Sequence, residues 1–213
     1  MISTAPTQTL TNTWVIGSWD EFVNLADNPE YEGGKFYYEQ KYLKIEMPPI
    51  GSSHSQDNHI IANIISLYAT VKNIRIKGLT NCSFRQPNVR EFQPDLAFYI
   101  GEEFNFPPRN NSPIDLSKFN PPNLVIEFGA TSLNDDLGRK RLLYDRAGIQ
   151  EYWVVDVNSN EIIAFSISDG RSGEVQESLI LPGLAISLVE SALKRSQTED
   201  DGAINRWLLQ TFS

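Results

Sequence analysis

The chain has 213 residues, of which 40% are hydrophobic and 21% charged, as in an ordinary soluble globular protein. Its 27 acidic and 18 basic residues give a formal net charge of -9, which disfavours tight non-specific binding to DNA. A single cysteine, Cys82, excludes an internal disulfide and a cysteine-based metal site, and no apolar run is long enough to span a membrane, so we predict a cytoplasmic protein.

Residues 1–17 lack the basic start and apolar stretch of a secretory signal, and they are predicted to form a loose arm. The remainder, residues 18–213, is predicted to be a single domain. Ser18 and Glu21 have the spacing of a capping box and predict a short first helix. The segment KFYYEQKYLKIEM then predicts two strands because it is rich in aromatic and β-branched residues.

The middle of the chain alternates between helix and strand signals. Ile61, Ile64 and Tyr68 recur at helical spacing and predict a helix over residues 53–71. Short strands are predicted over residues 74–79 and 82–85, and a stronger one at DLAFYI. The composition of residues 101–122 shifts to Asn, Pro and Gly, which predicts a long surface loop.

Two nearly continuous apolar segments, NLVIEF and EYWVVDV, are predicted as neighbouring parallel strands in the centre of a sheet. A helix from Thr131 or Ser132 to about Ala147, ended by Gly148, joins them. EIIAFSI follows as the second strand of a hairpin, and a last helix ends near Leu209. The fold class is therefore mixed α/β.

Two predicted strands carry a carboxylate at one end: Asp95 precedes DLAFYI, and Glu127 ends NLVIE. Each one alone is typical of a solvated turn. If the strands are neighbours, however, the two acids meet and repel each other unless a cation lies between them. Mg²⁺ suits such a pair, because it prefers oxygen ligands and often takes one or two carboxylates, a carbonyl and waters.

Lys140 interrupts an apolar helical stripe formed with Leu137, Tyr144 and Ala147. One interpretation is that its ammonium extends to water while its stem covers apolar surface. The other is that Lys140 enters a polar pocket lined by Asp95 and Glu127.

From about Ser18 to Leu193 the sequence resembles the Uma-type putative restriction endonuclease family of the PD-(D/E)XK nuclease superfamily. The motifs that carry the resemblance are Glu46-Met47-Pro48-Pro49, His54, Pro94-Asp95, Leu124 to Glu127, Asp136 to Lys140, and Tyr144 to Asp156. The resemblance implies a restriction-endonuclease-like mixed central sheet flanked by helices. It also implies metal-dependent phosphodiester hydrolysis in nucleic acid, with DNA as the expected substrate, and it favours a homodimer.

Under this resemblance Asp95, Glu127 and the Phe128 carbonyl bind Mg²⁺ or Mn²⁺, and Lys140 orients water or neutralises charge on the phosphate. The usual Glu-x-Lys of the superfamily places its lysine at position 129, where this chain has Gly129. Lys140 is then the substitute. Tyr144 is expected to serve packing.

Three assignments have alternatives. His54 matches the family histidine, but His59 competes with it, and a structural role is equally open. Glu46 is either a further site acid or a charged residue at a strand end. The protein itself is either an active Mg²⁺-dependent endodeoxyribonuclease or a catalytically inactive nuclease-like module that binds protein or nucleic acid. Asp95, Glu127 and Lys140 favour the enzyme, and the acidic net charge favours the module.

Overall fold

A computed structural model describes residues 11–48, 50–107 and 109–213. The chain divides into two compact units. The first contains Met1–Pro49, Ser83–Gln93 and Arg109–Phe119, and the second contains Ile50–Cys82, Pro94–Pro108 and Asn120–Ser213. Nothing in the sequence indicated this division, because each unit is built from segments that are far apart along the chain.

The first unit is a six-stranded sheet with one helix on it. The strand order is β1-β3-β2-β6-β5-β8. The strands are β1 (Val15–Ile16), β2 (Lys35–Glu39), β3 (Tyr42–Glu46), β5 (Phe84–Gln86), β6 (Arg90–Phe92) and β8 (Ile114–Asp115). Helix α1 (Trp19–Ala26) has the predicted capping box between Ser18 and Glu21, and it buries Phe22 against Tyr38 and Leu43. A 3₁₀ turn, Pro29–Tyr31, follows α1.

The end of the predicted arm is paired with the first sheet. β1 runs antiparallel to β3, with Val15 opposite Leu43. The Asn12 N–H also donates to the Ile45 carbonyl at 2.7 Å. Residues 1–10 lie outside the described part of the chain, so the rest of the predicted arm stays a prediction.

The second unit contains a six-stranded sheet in the order β12-β11-β10-β9-β7-β4. The strands are β4 (Ile76–Thr80), β7 (Leu96–Ile100), β9 (Leu124–Gly129), β10 (Glu151–Asp156), β11 (Glu161–Ser168) and β12 (Arg171–Val175). β9 and β10 are parallel, as predicted, and β7 runs antiparallel to β9. The mixed α/β class is confirmed.

One face of this second sheet carries the main apolar core. Helices α2 (Ser52–Val71), α5 (Ile186–Ser196) and α6 (Asp201–Phe212) contribute to it. Ile64 of α2 and Leu193 of α5 belong to the same buried cluster as Ile126 and Trp153 of the sheet. Because strand side chains alternate between faces, Glu127 and Tyr152 point to the opposite face.

The helix predicted between β9 and β10 has an irregular start. It begins as α3 (Leu133–Asp135), continues as a π-helical turn (Asp136–Lys140), and becomes α4 (Arg141–Ala147). Gly148 ends it at φ 79°, a left-handed conformation that glycine adopts without steric cost. A π turn holds more residues than an α turn, so it changes which side chains share a face.

Several elements were missed from the sequence. β6, β8 and β12 are short or carry charged residues and glycine, and β8 lies inside the predicted surface loop 101–122. Helix α5 was not assigned. Within the described residues, no helix is long and apolar enough to cross a membrane.

Candidate functional site

Glu127 is a buried carboxylate held from the side of α4. The Tyr144 hydroxyl donates a 2.5 Å hydrogen bond to its Oε1. The Lys140 ammonium lies 3.5 Å from the same oxygen. Tyr144 therefore does more than pack, because it fixes one carboxylate oxygen of the acid that ends the apolar run of β9.

Lys140 is buried, with only 2% of its side chain exposed. Its ammonium lies 3.0 Å from Asp136 Oδ1 and is thus close to two carboxylates. The interpretation in which this lysine extends into water is wrong. A buried ammonium is tolerated only when opposite charge and hydrogen-bonding groups compensate its lost hydration.

Asp136 was missed as a site residue, although its i,i+4 spacing to Lys140 was a usable signal. The apolar stripe predicted Leu137 on the face of Lys140, but Leu137 is only half-buried while Asp136 is buried. The π turn accounts for this change of face. The Ser132 hydroxyl donates to Asp136 Oδ2 at 2.7 Å. Its side chain therefore orients the Asp136 carboxylate and makes no capping hydrogen bond to the N-terminus of α3.

Asp95 directly precedes β7 and is also buried. Its Oδ2 accepts a 3.0 Å hydrogen bond from the N–H of Phe128, the residue after Glu127. β7 and β9 pair with Leu96 opposite Ile126, so Asp95 comes directly before the first paired residue of β7. Its hydrogen bond to the N–H of Phe128 places Asp95 beside the end of β9 that carries Glu127.

His54, rather than His59, lies beside this site. His54 Nε2 is 3.4 Å from Asp95 Oδ1, and its ring packs on Phe128 with centroids 5.5 Å apart. His59 is 66% exposed and lies 3.5 Å from Asp201. The imidazole of His54 thus contacts one Asp95 oxygen while the backbone of β9 contacts the other.

Asp57 follows His54 by one helical turn of α2 and is almost completely buried. Burial raises the pKa of its carboxyl from 3.8 to about 6, and the nearby His54 opposes that shift.

We expect Asp57→Asn to change how stability depends on pH. Because the folded pKa is above the unfolded one, the folded state binds this proton more tightly, and wild type loses stability as pH rises from about 4 through about 6. The loss attributable to Asp57 is on the order of 2–3 kcal/mol at pH 7. Urea unfolding at several pH values measures it: the Asn variant should gain on wild type between pH 4 and 7, and parallel curves would contradict the assignment.

Glu46 lies at the end of β3 in the first unit. Its Oε1 is 2.7 Å from the ammonium of Lys44. Its role as a further site acid stays a prediction. Pro49, the last residue of the motif that drew attention to Glu46, lies outside the described residues.

Four buried carboxylates lie in or beside the candidate site: Asp57, Asp95, Glu127 and Asp136. Lys140 contacts Glu127 and Asp136, and His54 contacts Asp95. A buried carboxylate is costly unless protons, hydrogen bonds or cations compensate its lost hydration.

The Phe128 carbonyl is expected to point toward the side of β9 on which Asp95 lies. The Gly129 carbonyl accepts from the Val157 N–H and so points toward β10. Because backbone groups of successive strand residues point to alternate sides, the Phe128 carbonyl points the other way, as does the Phe128 N–H that contacts Asp95. Within the described residues no group of three or more His, Cys, Asp or Glu is arranged to hold a metal. Two carboxylates, one carbonyl and waters are nevertheless a set that Mg²⁺ accepts.

Residues 19–200 match the sequence model of the Uma2 family, which is described as putative restriction endonuclease. The chain belongs to this family. The crystal structure of a putative nuclease belonging to DUF820, from Anabaena variabilis ATCC 29413, is similar to the fold with a TM-score of 0.56. The two share 18% sequence identity over 83% of this chain and 99% of that one. Among curated proteins, none matches the chain.

This Uma2 chain departs from the usual superfamily pattern at Gly129, and its packing gives the reason. A Cβ added at Gly129 would lie 2.8 Å from Asp136 Oδ2 and 3.2 Å from the Leu133 backbone. The space that a lysine would need at position 129 is occupied by Asp136 and the start of α3. Lys140 approaches Glu127 from the helix instead.

Proposed function

We propose that this protein is a metal-dependent endonuclease that hydrolyses phosphodiester bonds in DNA. The observation that carries the proposal is the buried ammonium of Lys140 next to Glu127, with Asp95 hydrogen-bonded to the N–H of the following residue, Phe128. We refer to Asp95, Glu127, Asp136 and Lys140 as the acid–lysine cluster. Membership of the Uma2 family supports the assignment.

In this proposal Asp95, Glu127 and the Phe128 carbonyl hold Mg²⁺ or Mn²⁺. The metal, when bound, supplies an activated water and neutralises charge on the phosphate. Lys140 places a fixed positive charge where negative charge develops, in a site from which water is largely excluded. Asp136 pairs with the same ammonium at 3.0 Å and helps to hold it in place.

Two further side chains act on the ligands rather than on the substrate. Tyr144 donates to Oε1 of Glu127 and so orients the carboxylate. His54 contacts Asp95 Oδ1 while the Phe128 N–H holds Oδ2. Groups of this kind keep metal ligands in a single orientation and tune their affinity.

The net charge of -9 is relevant to substrate binding. The summed charge of the chain repels DNA, so binding energy has to come from the bound metal and local groups rather than from a general positive field. The same charge keeps a second candidate open, in which the protein is a catalytically inactive module. Cleavage activity distinguishes the two.

The test is nicking of supercoiled plasmid DNA with Mg²⁺ or Mn²⁺. Asp95→Asn should reduce nicking by more than the roughly 10–100-fold that loss of an outer-shell partner costs. Asp20→Asn, an exposed acid of α1, is the matched control and should keep wild-type activity. Equal residual nicking in wild type and Asp95→Asn would contradict the proposal.

Calorimetry with Mn²⁺ separates metal binding from catalysis. Wild type should bind the ion, and Glu127→Gln should weaken that binding because it removes one anionic ligand. Unchanged Mn²⁺ binding by Glu127→Gln would place the metal elsewhere. A protein that binds Mn²⁺ through Glu127 but does not nick DNA would support the inactive module.

A further inference from the structure

The segment that follows β7 is anchored by a single arginine. Arg75 Nη1 donates to the carbonyls of Gly101, Glu102 and Phe104 at 3.3, 3.2 and 3.1 Å. Its guanidinium also lies 3.9 Å from the centroid of the Phe104 ring. Although this segment has no regular secondary structure, its backbone and the buried Phe104 are therefore fixed against β4.

The anchored segment presents an aromatic ring to solvent. Phe106 is 62% exposed. Its ring meets Phe104 edge to face with centroids 5.6 Å apart, and the Arg75 guanidinium lies 5.1 Å from its centroid. The Lys77 ammonium lies 6.0 Å from the same centroid. Single exposed phenylalanines are common, but this ring is supported from one side and has two cations near it.

A cavity of about 250 Å³ lies behind the same segment. Phe104 and Tyr99 form aromatic walls, and Asn123 and Gln150 contribute carboxamides. Asn123 Nδ2 donates to Gln150 Oε1 at 3.0 Å, which fixes the Gln150 side chain and turns its N–H₂ end away from Asn123. Pockets for drug-sized ligands are about 300 Å³ or larger, so this cavity fits one small ring system.

We propose that this cavity and the Phe106 ring bind unstacked bases of a single-stranded segment of nucleic acid. Aromatic rings with nearby cations bind successive bases by stacking, largely without regard to sequence. A fixed carboxamide can hydrogen-bond to the edge of a base. The proposal rests on the proposed nuclease function, and it adds that the substrate is unpaired close to the phosphate that is cut.

The charges of the segment favour a base over a phosphate inside the cavity. Glu103 lines the cavity and Glu102 precedes it, so an anionic group would be repelled there. A base is uncharged, and its amino groups can donate to the Glu103 carboxylate. The connecting phosphates then lie outside, on the side where Lys77 is exposed.

The distance along the sheet between the cavity and Asp95 agrees with this assignment. Tyr99 of β7 is four residues beyond Asp95, which at about 3.4 Å per residue is roughly 14 Å. A few nucleotides of one unpaired strand can span that distance. A base at the cavity and a phosphate at Asp95 can therefore belong to one strand.

The experiment is binding of a fluorescent oligo-dA to the full chain without divalent metal, measured by anisotropy. Phe106→Ala should weaken binding about tenfold, within the range measured for loss of one stacking partner. Adenosine should compete with the oligonucleotide, and inorganic phosphate should not. The matched control is Leu142→Ala, because Leu142 is also an exposed apolar side chain (48%) but lies on α4.

Gln150→Leu provides a second variant that leaves the Phe106 ring in place, and it should weaken competition by adenosine. Equal affinity in wild type and Phe106→Ala, or no oligonucleotide binding by wild type, overturns the inference. Plasmid nicking distinguishes the two proposals. Binding that depends on Phe106 in a protein that does not nick refutes only the nuclease. Metal-dependent nicking without such binding refutes only the base site.

Discussion

Lys140→Met should lower the free energy of unfolding by about 3–5 kcal/mol, the cost of breaking a buried ion pair by removing one partner. Methionine has a similar length, so little packing is lost. The loss arises because Glu127 and Asp136 stay buried without the ammonium that lies 3.5 Å and 3.0 Å from them. Urea unfolding at pH 7, followed by tryptophan fluorescence, measures the change, and nicking by the same variant should fall to background.

The control for Lys140 is Lys118, which is 73% exposed and pairs with Asp115 at 2.9 Å. Exposed pairs contribute about 0–1 kcal/mol, so Lys118→Met should be close to neutral. If Lys140→Met were equally mild, the acid–lysine cluster would not be the compensated buried site described above.

A combined variant separates the electrostatic role of Lys140 from its catalytic role. Asp136→Asn removes one of the two carboxylates that lose their cation and keeps Glu127, the proposed metal ligand. Added to Lys140→Met, it should recover part of the lost stability, because a neutral side chain of similar volume removes a buried charge. It should not recover nicking. Recovery of activity would show that Lys140 has no direct part in the reaction.

The sequence predicted the strands that carry the candidate site and the proximity of Asp95 to Glu127, and the reason is periodicity. Continuous apolar runs predicted that β9 and β10 are parallel central strands. Once the strand that follows Asp95 was taken as a neighbour of β9, Asp95 was expected near Glu127, and the hydrogen bond from the Phe128 N–H to Asp95 agrees with this. Lys140 was found because a charge interrupted an apolar stripe.

Side chains whose placement depends on irregular backbone were not predictable in the same way. A period of 3.6 residues put Leu137 on the face of Lys140, whereas the π turn puts Asp136 there. Asp57 sits on a regular helix, but nothing in the sequence distinguishes a buried aspartate from a solvated one. The buried Glu151 at the start of β10 is similar, because its hydrogen bond from the Leu179 N–H depends on a segment far along the chain.

A lysine at position 129, where the superfamily pattern has one, should be poorly tolerated in this protein. Gly129→Lys should lower the free energy of unfolding by about 3 kcal/mol or more, at the upper end of overpacking costs, because a charge is buried as well. The smaller change Gly129→Ala isolates the added Cβ and should cost about 1–3 kcal/mol. The contacts responsible are Asp136 Oδ2 at 2.8 Å and the Leu133 Cα and N at 3.2 Å.

The matched control for position 129 is Gly138→Ala. Gly138 lies in the π turn, and among the described residues no atom lies within 4 Å of a Cβ added there. Its substitution should therefore be neutral or stabilising by up to about 1 kcal/mol, because alanine is the better helix former. Urea unfolding of both alanine variants under one set of conditions gives the comparison.

Gly129→Lys combined with Lys140→Met tests whether the lysine can move to the position used elsewhere in the superfamily. We expect no recovery of nicking, because the clash involves the Leu133 backbone, which cannot rotate away as a side chain can. Recovery would mean that the first turn of the helix adjusts readily, and that Lys140 was selected for some reason other than space. Failure, with Gly138→Ala still active, would support the view that α3 and Asp136 close position 129 and leave the π-helical turn as the route by which an ammonium reaches Glu127.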